Sequence, residues 1–360
     1  MRLSLEARER PARIMTWVSP LLAAVGSVIG VSILFAVLGR PPLAALNVMF
    51  VAPLESFDNL AELALKATPL LLCAIGIAIG CRAEVWNIGA EGQFTVGAIA
   101  GGGVALAYGG NGYWWLLPAM LIAGILGGMA WAGIAAFLKT RFNAHEILTT
   151  LMLTYVSIQL LGYLVHGPWK DPQGYSFPQT KQFADDALMP ILFEGTRLHI
   201  GALFALAAVP LGSILLGRTL TGFRIRTVGA APAAARYAGF SRNGIIWFCL
   251  LLSGGMAGLA GICEVAGPDG QLTPVISPGY GFAAIIVAFL GRLNPIGILF
   301  SSLLMALLYL GGEGLQVSMQ LPVAVTGTVQ GMLLFFLLAA DVLINYRVRL
   351  RRTVAVPRHA

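Results

Sequence analysis

Ten apolar runs shape this sequence, and most of them are long enough for a helix to cross a lipid bilayer. A spanning helix needs about 20 mainly apolar residues. The composition agrees, because 11% of the residues are charged, against about 25% in a soluble domain. We therefore predict an all-α membrane protein, a polytopic bundle of about ten transmembrane helices. The runs cover residues 15–39, 61–80, 88–108, 113–138, 147–166, 199–217, 244–264, 281–296, 297–312 and 321–343. The eighth and ninth runs are short, with Pro295 between them, and form either one tight hairpin or a broken, re-entrant pair.

The positions of lysine and arginine predict the orientation. With the N-terminus inside and ten spans, all but five of the 23 basic residues fall in cytoplasmic segments, as the positive-inside rule requires. The net charge of +7 is then explained by topology, and nucleic acid is not needed as a partner. We expect a multi-pass protein of the bacterial cytoplasmic (inner) membrane with both termini in the cytoplasm. The external exceptions are Arg40, Lys66, Lys170, Lys181 and Arg197.

The domain organisation follows from this topology. We expect a cytoplasmic leader at 1–14, a transmembrane domain at 15–345 and a basic cytoplasmic tail at 346–360. The first apolar run is too long for a signal peptide, which makes it an uncleaved anchor. An ordered external loop is predicted at 167–198, and a basic cytoplasmic loop at 218–243.

Several helix starts carry polar side chains that suit capping. Asn59 with Glu62, and Asn143 with Glu146, have the spacing of a capping box, in which two side chains satisfy free backbone N–H groups. These four residues are therefore predicted to begin helices at the membrane boundary.

A polar break separates the second and third apolar runs. It contains Asn87, Glu91 and Gln93, and Asn87 is placed to cap the helix that follows. Charged groups at membrane depth usually face a bundle interior or an aqueous cavity. Two interpretations stay open at this point: a helix start beside a translocation path, or a capped cytoplasmic turn.

A short helix is predicted between Pro232 and Gly239. Proline suits the first position of a helix and glycine the position after its end, and the residues between are mostly good helix formers. About two turns are too few to span a membrane or to be stable alone. The helix therefore docks either into a soluble partner or onto lipid headgroups, where Arg224, Arg226 and Arg242 would be attracted.

Four motifs resemble one family of membrane proteins. They are Asn-Ile-Gly-Ala-Glu-Gly-Gln at 87–93, Gly-Pro-Trp-Lys-Asp-Pro at 167–172, the segment 228–239, and Ser-Gly-Gly-Met-Ala-Gly-Leu-Ala-Gly at 253–261. Together they resemble ABC transporter permeases of the branched-chain amino acid and sugar type, closest to the nucleoside and simple-sugar branch. The resemblance covers roughly residues 55–345 in order.

This resemblance implies a type II-like ABC importer permease for nucleosides or simple sugars. Its implied partners are an ABC ATPase subunit that binds ATP, an extracytoplasmic substrate-binding lipoprotein and a second permease subunit, with a heterodimer favoured. Membrane lipid surrounds the chain, which needs no cofactor of its own. In this family the stretch matching 229–239 is a coupling helix in a groove of the ATPase. The implied coupling residues are Gly229, Pro232, Ala234, Arg236, Tyr237 and Gly239.

Residues of the translocation path are predicted from position. Asn87, Glu91 and Gln93 lie at the polar break, and Glu264 and Tyr280 flank a Gly/Pro segment after the seventh apolar run. Each could bind a sugar hydroxyl or a base edge, and each could equally be a loop or capping residue.

Two other classes of function are weighed against the importer. An ion-coupled secondary transporter of a small polar solute would need acids or histidines at mid-membrane, and the centres of the apolar runs are nearly free of them. An enzyme would need a nucleophile with a base or a metal cluster, and no catalytic or metal-ligating grouping is evident. The four cysteines are expected to be small buried hydrophobic residues.

Overall fold

The computed structural model describes residues 2–7, 13–174 and 177–351. Over these residues the chain is helical apart from its loops and a pair of short strands. The strands are β1 (Arg2–Ala7) and β2 (Tyr346–Arg351). The helices are α1 (Arg13–Val37), α2 (Pro42–Leu46), α3 (Phe57–Cys81), α4 (Ala90–Tyr108), α5 (Leu116–Phe142), α6 (Glu146–His166), α7 (Gly201–Arg218), α8 (Leu220–Ala230), α9 (Pro232–Tyr237), α10 (Arg242–Glu264), α11 (Tyr280–Leu290), α12 (Pro295–Met319) and α13 (Val323–Asn345).

Short stretches of other helix types complete the helical structure. Asn47–Val51 and Val265–Asp269 are π-helical, and Ala52–Leu54 and Asp185–Ala187 are 3₁₀-helical. The stretch Val265–Asp269 continues α10 and contains a proline, and π-type turns of this kind occur mostly as local insertions in α-helices.

The smaller of two compact units consists of Met1–Ala52 and Gly311–Ala360. In it α1 packs along α13, and β1 pairs with β2 in antiparallel register, with Leu3 opposite Leu350. The prediction of an all-α chain therefore holds for the bundle, and this strand pair at the chain ends is an addition to it. Both end segments alternate apolar and polar residue types, which is the period of a strand.

The larger unit, Pro53–Leu310, is organised around α10, which packs against α3, α4 and α5. Glycines make this close approach possible: a Cβ at Gly128 of α5 would lie 2.8 Å from the Cα of Gly258 in α10. A Cβ at Gly97 of α4 would overlap the same Cα. The Gly258 region therefore serves close helix packing, as expected where small residues let membrane helices approach.

Six helices in the described part of the chain are long and apolar enough to cross a membrane. They are Phe57–Cys81, Leu116–Phe142, Glu146–His166, Gly201–Arg218, Arg242–Asp269 and Pro295–Met319. The other predicted runs also lie on helices, namely α1, α4, α11 and α13. The helix of the eighth run is shorter than predicted. Helix α11 ends at Leu290, and α12, the helix of the ninth run, already begins at Pro295.

The predicted capping boxes are wrong. The cap of α3 is Ser56, three residues before the predicted Asn59, and its side chain accepts a hydrogen bond from the Asn59 amide. Asn143 instead follows the end of α5, in a left-handed conformation with φ 52°. The two glutamates form ion pairs: Glu62 with Arg197 at 2.7 Å, and Glu146 with Lys139 at 2.7 Å.

Two helices were missed by the sequence interpretation. Residues 42–54 lie between the first two predicted runs, but α2 and the turns after it form a short apolar helical stretch there. Helix α8 lies inside the predicted basic loop and is capped by Thr219, whose hydroxyl accepts from the Gly222 amide at 3.0 Å. Glycine, threonine and arginine interrupt the apolar residues of that segment, so its sequence does not show a helical pattern.

The predicted external loop is ordered in its described part by backbone hydrogen bonds. The Thr180 amide donates to the Leu272 carbonyl at 3.0 Å, and the Phe183 amide to the Gly270 carbonyl at 2.7 Å. Asp186 accepts from the amide of Gly110 at 3.0 Å and from the amide of Gly112 at 2.8 Å. These backbone donors hold the pKa of the Asp186 carboxyl below its usual value, so the loop stays anchored over the pH range in which this group is ionised.

Candidate functional site

Three polar side chains meet in the interior of the larger unit, at the polar break before α4. The Asn87 amide donates to the Gln93 side-chain carbonyl at 2.7 Å and to the Ser253 hydroxyl at 2.8 Å. Gln93 donates back to Asn87 at 3.0 Å, and the Gly89 amide donates to the same Asn87 oxygen at 3.1 Å. All three side chains are buried. The group is a hydrogen-bonded amide cluster, which stabilises an interior only when its members are satisfied.

Glu91 joins the beginning of α4 to the beginning of α11. Its carboxylate accepts from the Gly281 amide at 2.6 Å and also from Ser277 and the Phe282 amide. Ser277 in turn accepts from the Gly279 and Tyr280 amides at 3.0 and 2.9 Å. Glu91 therefore lies at the N-terminal ends of two helices, where a negative charge is favoured.

An aromatic cluster lies beside this junction. The Tyr280 ring lies 5.5 Å from the Tyr309 ring and 6.4 Å from the Phe94 ring, measured between centroids. Tyr280 is 3% exposed. Rings in such edge-to-face or tilted arrangements form a compact apolar group, with faces that could contact a ring-shaped solute if the group opens.

Glu264 lies apart from these groups, at the end of α10. Its electrostatic neighbours are Asp269, Lys66, Arg197 and Glu62. Arg197 binds Glu62 through two hydrogen bonds of 2.7 and 2.8 Å. The structure thus divides the five predicted path residues: Asn87, Glu91, Gln93 and Tyr280 surround the starts of α4 and α11, whereas Glu264 belongs to a charged cluster.

The predicted short helix is present as α9. Pro232 occupies its first turn, and Gly239 follows its end at φ +75°, as the sequence predicts. Ala234 and Arg236 are exposed, and Tyr237 is 95% exposed. Of the helix residues, Ala235 is buried. Most of α9 therefore faces away from the rest of the chain.

Gly229 differs from the other predicted coupling residues. It lies in α8 and is buried, and a Cβ there would lie 3.2 Å from the Ala83 Cα. It contacts the chain's own interior, whereas α9 is exposed. A cavity of about 600 Å³ borders α9 and is lined by both its apolar and its basic residues, among them Ala233, Arg236 and Arg242.

A second cavity, of about 610 Å³, lies between α3, α5, α7 and α10. Its lining residues are all apolar, and they include Ile75, Phe204 and Phe248. A polar solute would find no hydrogen-bond partner in it. The apolar character suits contact with hydrocarbon, whereas the buried polar groups described above lie at the junction of α4 and α11.

Three residues of the junction were missed as site residues. Ser253 completes the amide cluster, and Phe94 and Tyr309 complete the aromatic cluster. For Ser253 the available signal was a lone hydroxyl in a glycine-rich helix. Phe94 and Tyr309 carried no local signal, because aromatic residues in apolar helices are common. Of the four cysteines, Cys73, Cys249 and Cys263 are buried as predicted, and Cys81 is partly exposed.

The chain matches known proteins along most of its length. Residues 59–338 match the family described as the permease component of branched-chain amino acid transport systems. The chain is 35% identical over 358 residues to the glucose ABC transporter permease TsgB13 of Haloferax volcanii, covering 97% of this chain and 94% of that protein.

Two bacterial proteins are similar as well. The guanosine ABC transporter permease NupP of Bacillus subtilis is 31% identical over 277 residues, with 75% of this chain and 78% of that protein covered. The nucleoside ABC transporter permease NupB of Lactococcus lactis is 28% identical over 327 residues, with 88% and 89% covered.

Proposed function

This chain belongs to the family of permease components of branched-chain amino acid transport systems, and we propose that it carries a nucleoside or a simple sugar through the junction of α4 and α11. It is the permease subunit of an ABC importer and a multi-pass membrane protein. It is not an enzyme, and ATP hydrolysis lies in a separate subunit.

The exposed helix α9 is the observation that carries the proposal for energy coupling. A six-residue helix with a 95% exposed tyrosine has little stability of its own, so a partner surface supports it. We assign that surface to the ATPase subunit, which makes α9 the coupling helix. Pro232, Ala234, Arg236, Tyr237 and Gly239 then form the contact, and Gly229 supports it from behind.

The proposed topology has ten spans with both termini in the cytoplasm of a bacterial inner membrane. All ten predicted runs lie on helices, which is compatible with this number, although α11 has 11 residues and is shorter than a full span. The antiparallel pairing of β1 with β2 supports an even number, because it brings the two ends of the chain to one side. The basic residues near both termini favour the cytoplasmic side for them.

The proposed solute class rests on the junction itself. The rings of Tyr280, Tyr309 and Phe94 provide faces for a sugar or a base, and Glu91 provides a carboxylate for a hydroxyl. Relatives named for glucose, guanosine and nucleosides agree with this class. In the structure the Tyr280 ring contacts the other two rings, and Glu91 binds the start of α11. A solute would therefore reach these groups only after α4 and α11 separate.

The importer needs partners that this chain does not supply. An ABC ATPase and an extracytoplasmic substrate-binding protein follow from the family. We further propose that the second permease is a diverged subunit and not another copy of this chain, which makes the core a heterodimer within the membrane lipid. No cofactor is assigned to this chain, since ATP is bound by the partner subunit.

Uptake by the reconstituted complex tests the proposal. Proteoliposomes with both permeases, the ATPase and the binding protein are given labelled purine nucleoside, pyrimidine nucleoside or glucose, with and without ATP and a protonophore. We expect ATP-dependent uptake of one of these classes, unaffected by the protonophore. Tyr280→Ala should lower it roughly tenfold, whereas Tyr163→Ala, at a 67% exposed position of α6, should not.

Uptake by this chain alone that disappears with the protonophore would contradict the proposal. It would identify an ion-coupled secondary transporter, and Glu91 would then be the first residue to test as the coupling site.

A further inference from the structure

The segment 82–91 contacts the short helix α11 near both of its ends. At one end, the Arg82 guanidinium donates to the Leu293 carbonyl through Nε at 3.3 Å and Nη2 at 3.0 Å. In the middle, Trp86 stacks on Phe289 with ring centroids 5.5 Å apart and an interplanar angle of 18°. At the other end, Glu91 accepts from Gly281. The segment therefore holds both ends of α11 at once.

The same segment is in contact with the end of α8. A Cβ at Gly229 would lie 3.1 Å from the Arg82 carbonyl carbon and 3.2 Å from the Ala83 Cα, so only glycine fits there without displacing backbone. Helix α8 ends at the next residue, and α9 begins two residues after that. A displacement of α9 that moves α8 must therefore move Arg82 and Ala83 or break this contact.

The backbone on both sides of the Arg82 contact is in an uncommon conformation. Glu84 has φ 56°, and Arg292 and Leu293 both have φ 54° in the turn between α11 and α12. Residues other than glycine rarely adopt these values, and such conformations persist where the surroundings hold them. Arg82 is one of the groups that hold this turn, because it binds the Leu293 carbonyl directly.

From these contacts we infer that Arg82 is a positioning residue that transmits movement of α8 and α9 to α11. The inference rests on the proposed role of α9 as the coupling helix. Movement at Gly229 displaces Arg82, Arg82 displaces the turn at Leu293, and α11 then shifts relative to Glu91 and Tyr280. Loss of the guanidinium leaves the ATPase contact intact and disconnects it from the solute site.

The test measures solute uptake and ATP hydrolysis in the same proteoliposomes. Arg82→Met removes all donors at a similar length, and Arg82→Lys keeps a single cationic group. Arg141→Met is the matched control, an exposed arginine at the end of α5. We expect Arg82→Met to retain ATP hydrolysis within about twofold while uptake per ATP falls at least about tenfold. Uptake per ATP in Arg82→Lys should lie between the values for Arg82→Met and wild type, and the control should match wild type.

Wild-type uptake per ATP in Arg82→Met would overturn the inference. If that variant does not assemble, Arg82→Lys provides the test, provided that its melting temperature is unchanged. Uptake per ATP at least about threefold below wild type then supports the inference, and wild-type uptake per ATP overturns it. A wild-type complex that takes up solute without hydrolysing ATP would contradict the proposed function instead, so the two failures are distinguishable.

Discussion

Helix α9 and the junction of α4 and α11 differ in how their residues are held. In α9, Tyr237 is 95% exposed and Ala235 is the residue buried within the chain. At the junction, Asn87 and Gln93 are at most 3% exposed and bind each other, and Asn87 also binds Ser253. Substitutions in α9 should therefore cost little stability, whereas substitutions at the junction should cost more. The following predictions test this contrast, in order of the expected loss of thermal stability.

The largest loss is expected at the packing centre beside the junction. Gly258→Leu forces a side chain against the backbone of Gly124 and Gly128, which cannot move aside. The free energy of unfolding should fall by about 3 kcal/mol or more, measured as thermal unfolding in detergent. Gly162→Leu is the control, because nothing lies within 4 Å of a Cβ at that position. Equal melting temperatures for both variants would contradict the close packing of α5 and α10.

The amide cluster is expected to come next. Asn87→Leu keeps the side-chain size but leaves Gln93, Ser253 and the Gly89 amide without their partner. A loss of about 2–3 kcal/mol is expected, the cost of leaving buried polar groups unpaired. Ser253→Ala removes one member and should lose about 1 kcal/mol. A Leu variant as stable as wild type would show that the cluster is hydrated and not closed.

A pH effect is expected from His199, which lies just before α7. Burial lowers the pKa of His199 from 6.5 to about 4, and its Nδ1 accepts from the Gly201 amide at 3.1 Å. The unfolded chain binds more protons between these two values, so stability is full above about pH 6.5 and falls as the pH drops toward 4. At pH 5 the loss is about 2 kcal/mol.

Thermal unfolding from pH 7 to pH 5 measures this effect, with His199→Gln as the comparison. The difference between the two proteins should shrink as the pH falls. A constant difference would mean that His199 does not contribute to the pH dependence of stability.

The ion pair between Glu62 and Arg197 should have a small effect. The arginine side chain is 63% exposed, and exposed ion pairs contribute less than about 1 kcal/mol. Glu62→Gln should lower the melting temperature slightly, and added salt should reduce the difference. A larger, salt-independent loss would show that the charged cluster around Glu264 is shielded from solvent.

The sequence predicts α9 well because its signals are local. Pro232 and Gly239 mark the two ends, and both act through backbone geometry at their own positions. The ten apolar runs are equally local, and each lies on a helix. The predicted position of the break between α11 and α12 was wrong. The break depends on left-handed backbone at Arg292 and Leu293, and neither residue type favours that conformation.

The junction could be predicted only in part. The polar residues Asn87, Glu91 and Gln93 stand out in an apolar chain, but their partners Ser253 and Gly281 are 166 and 190 residues away from Asn87 and Glu91. One sequence carries no information on such pairings. The short-range pattern also suggested capping at Asn59 and Asn143, where the cap at Ser56 and a left-handed turn decide otherwise.

ATP-driven uptake by a Tyr237 variant tests the central claim most directly. Tyr237→Asp places a charge on the exposed face of α9, and Phe142→Asp places one at a 67% exposed aromatic position outside α9. We predict an unchanged melting temperature for both, with uptake and ATPase binding lost only in Tyr237→Asp. Wild-type uptake in Tyr237→Asp would contradict the claim that α9 couples this permease to its ATPase.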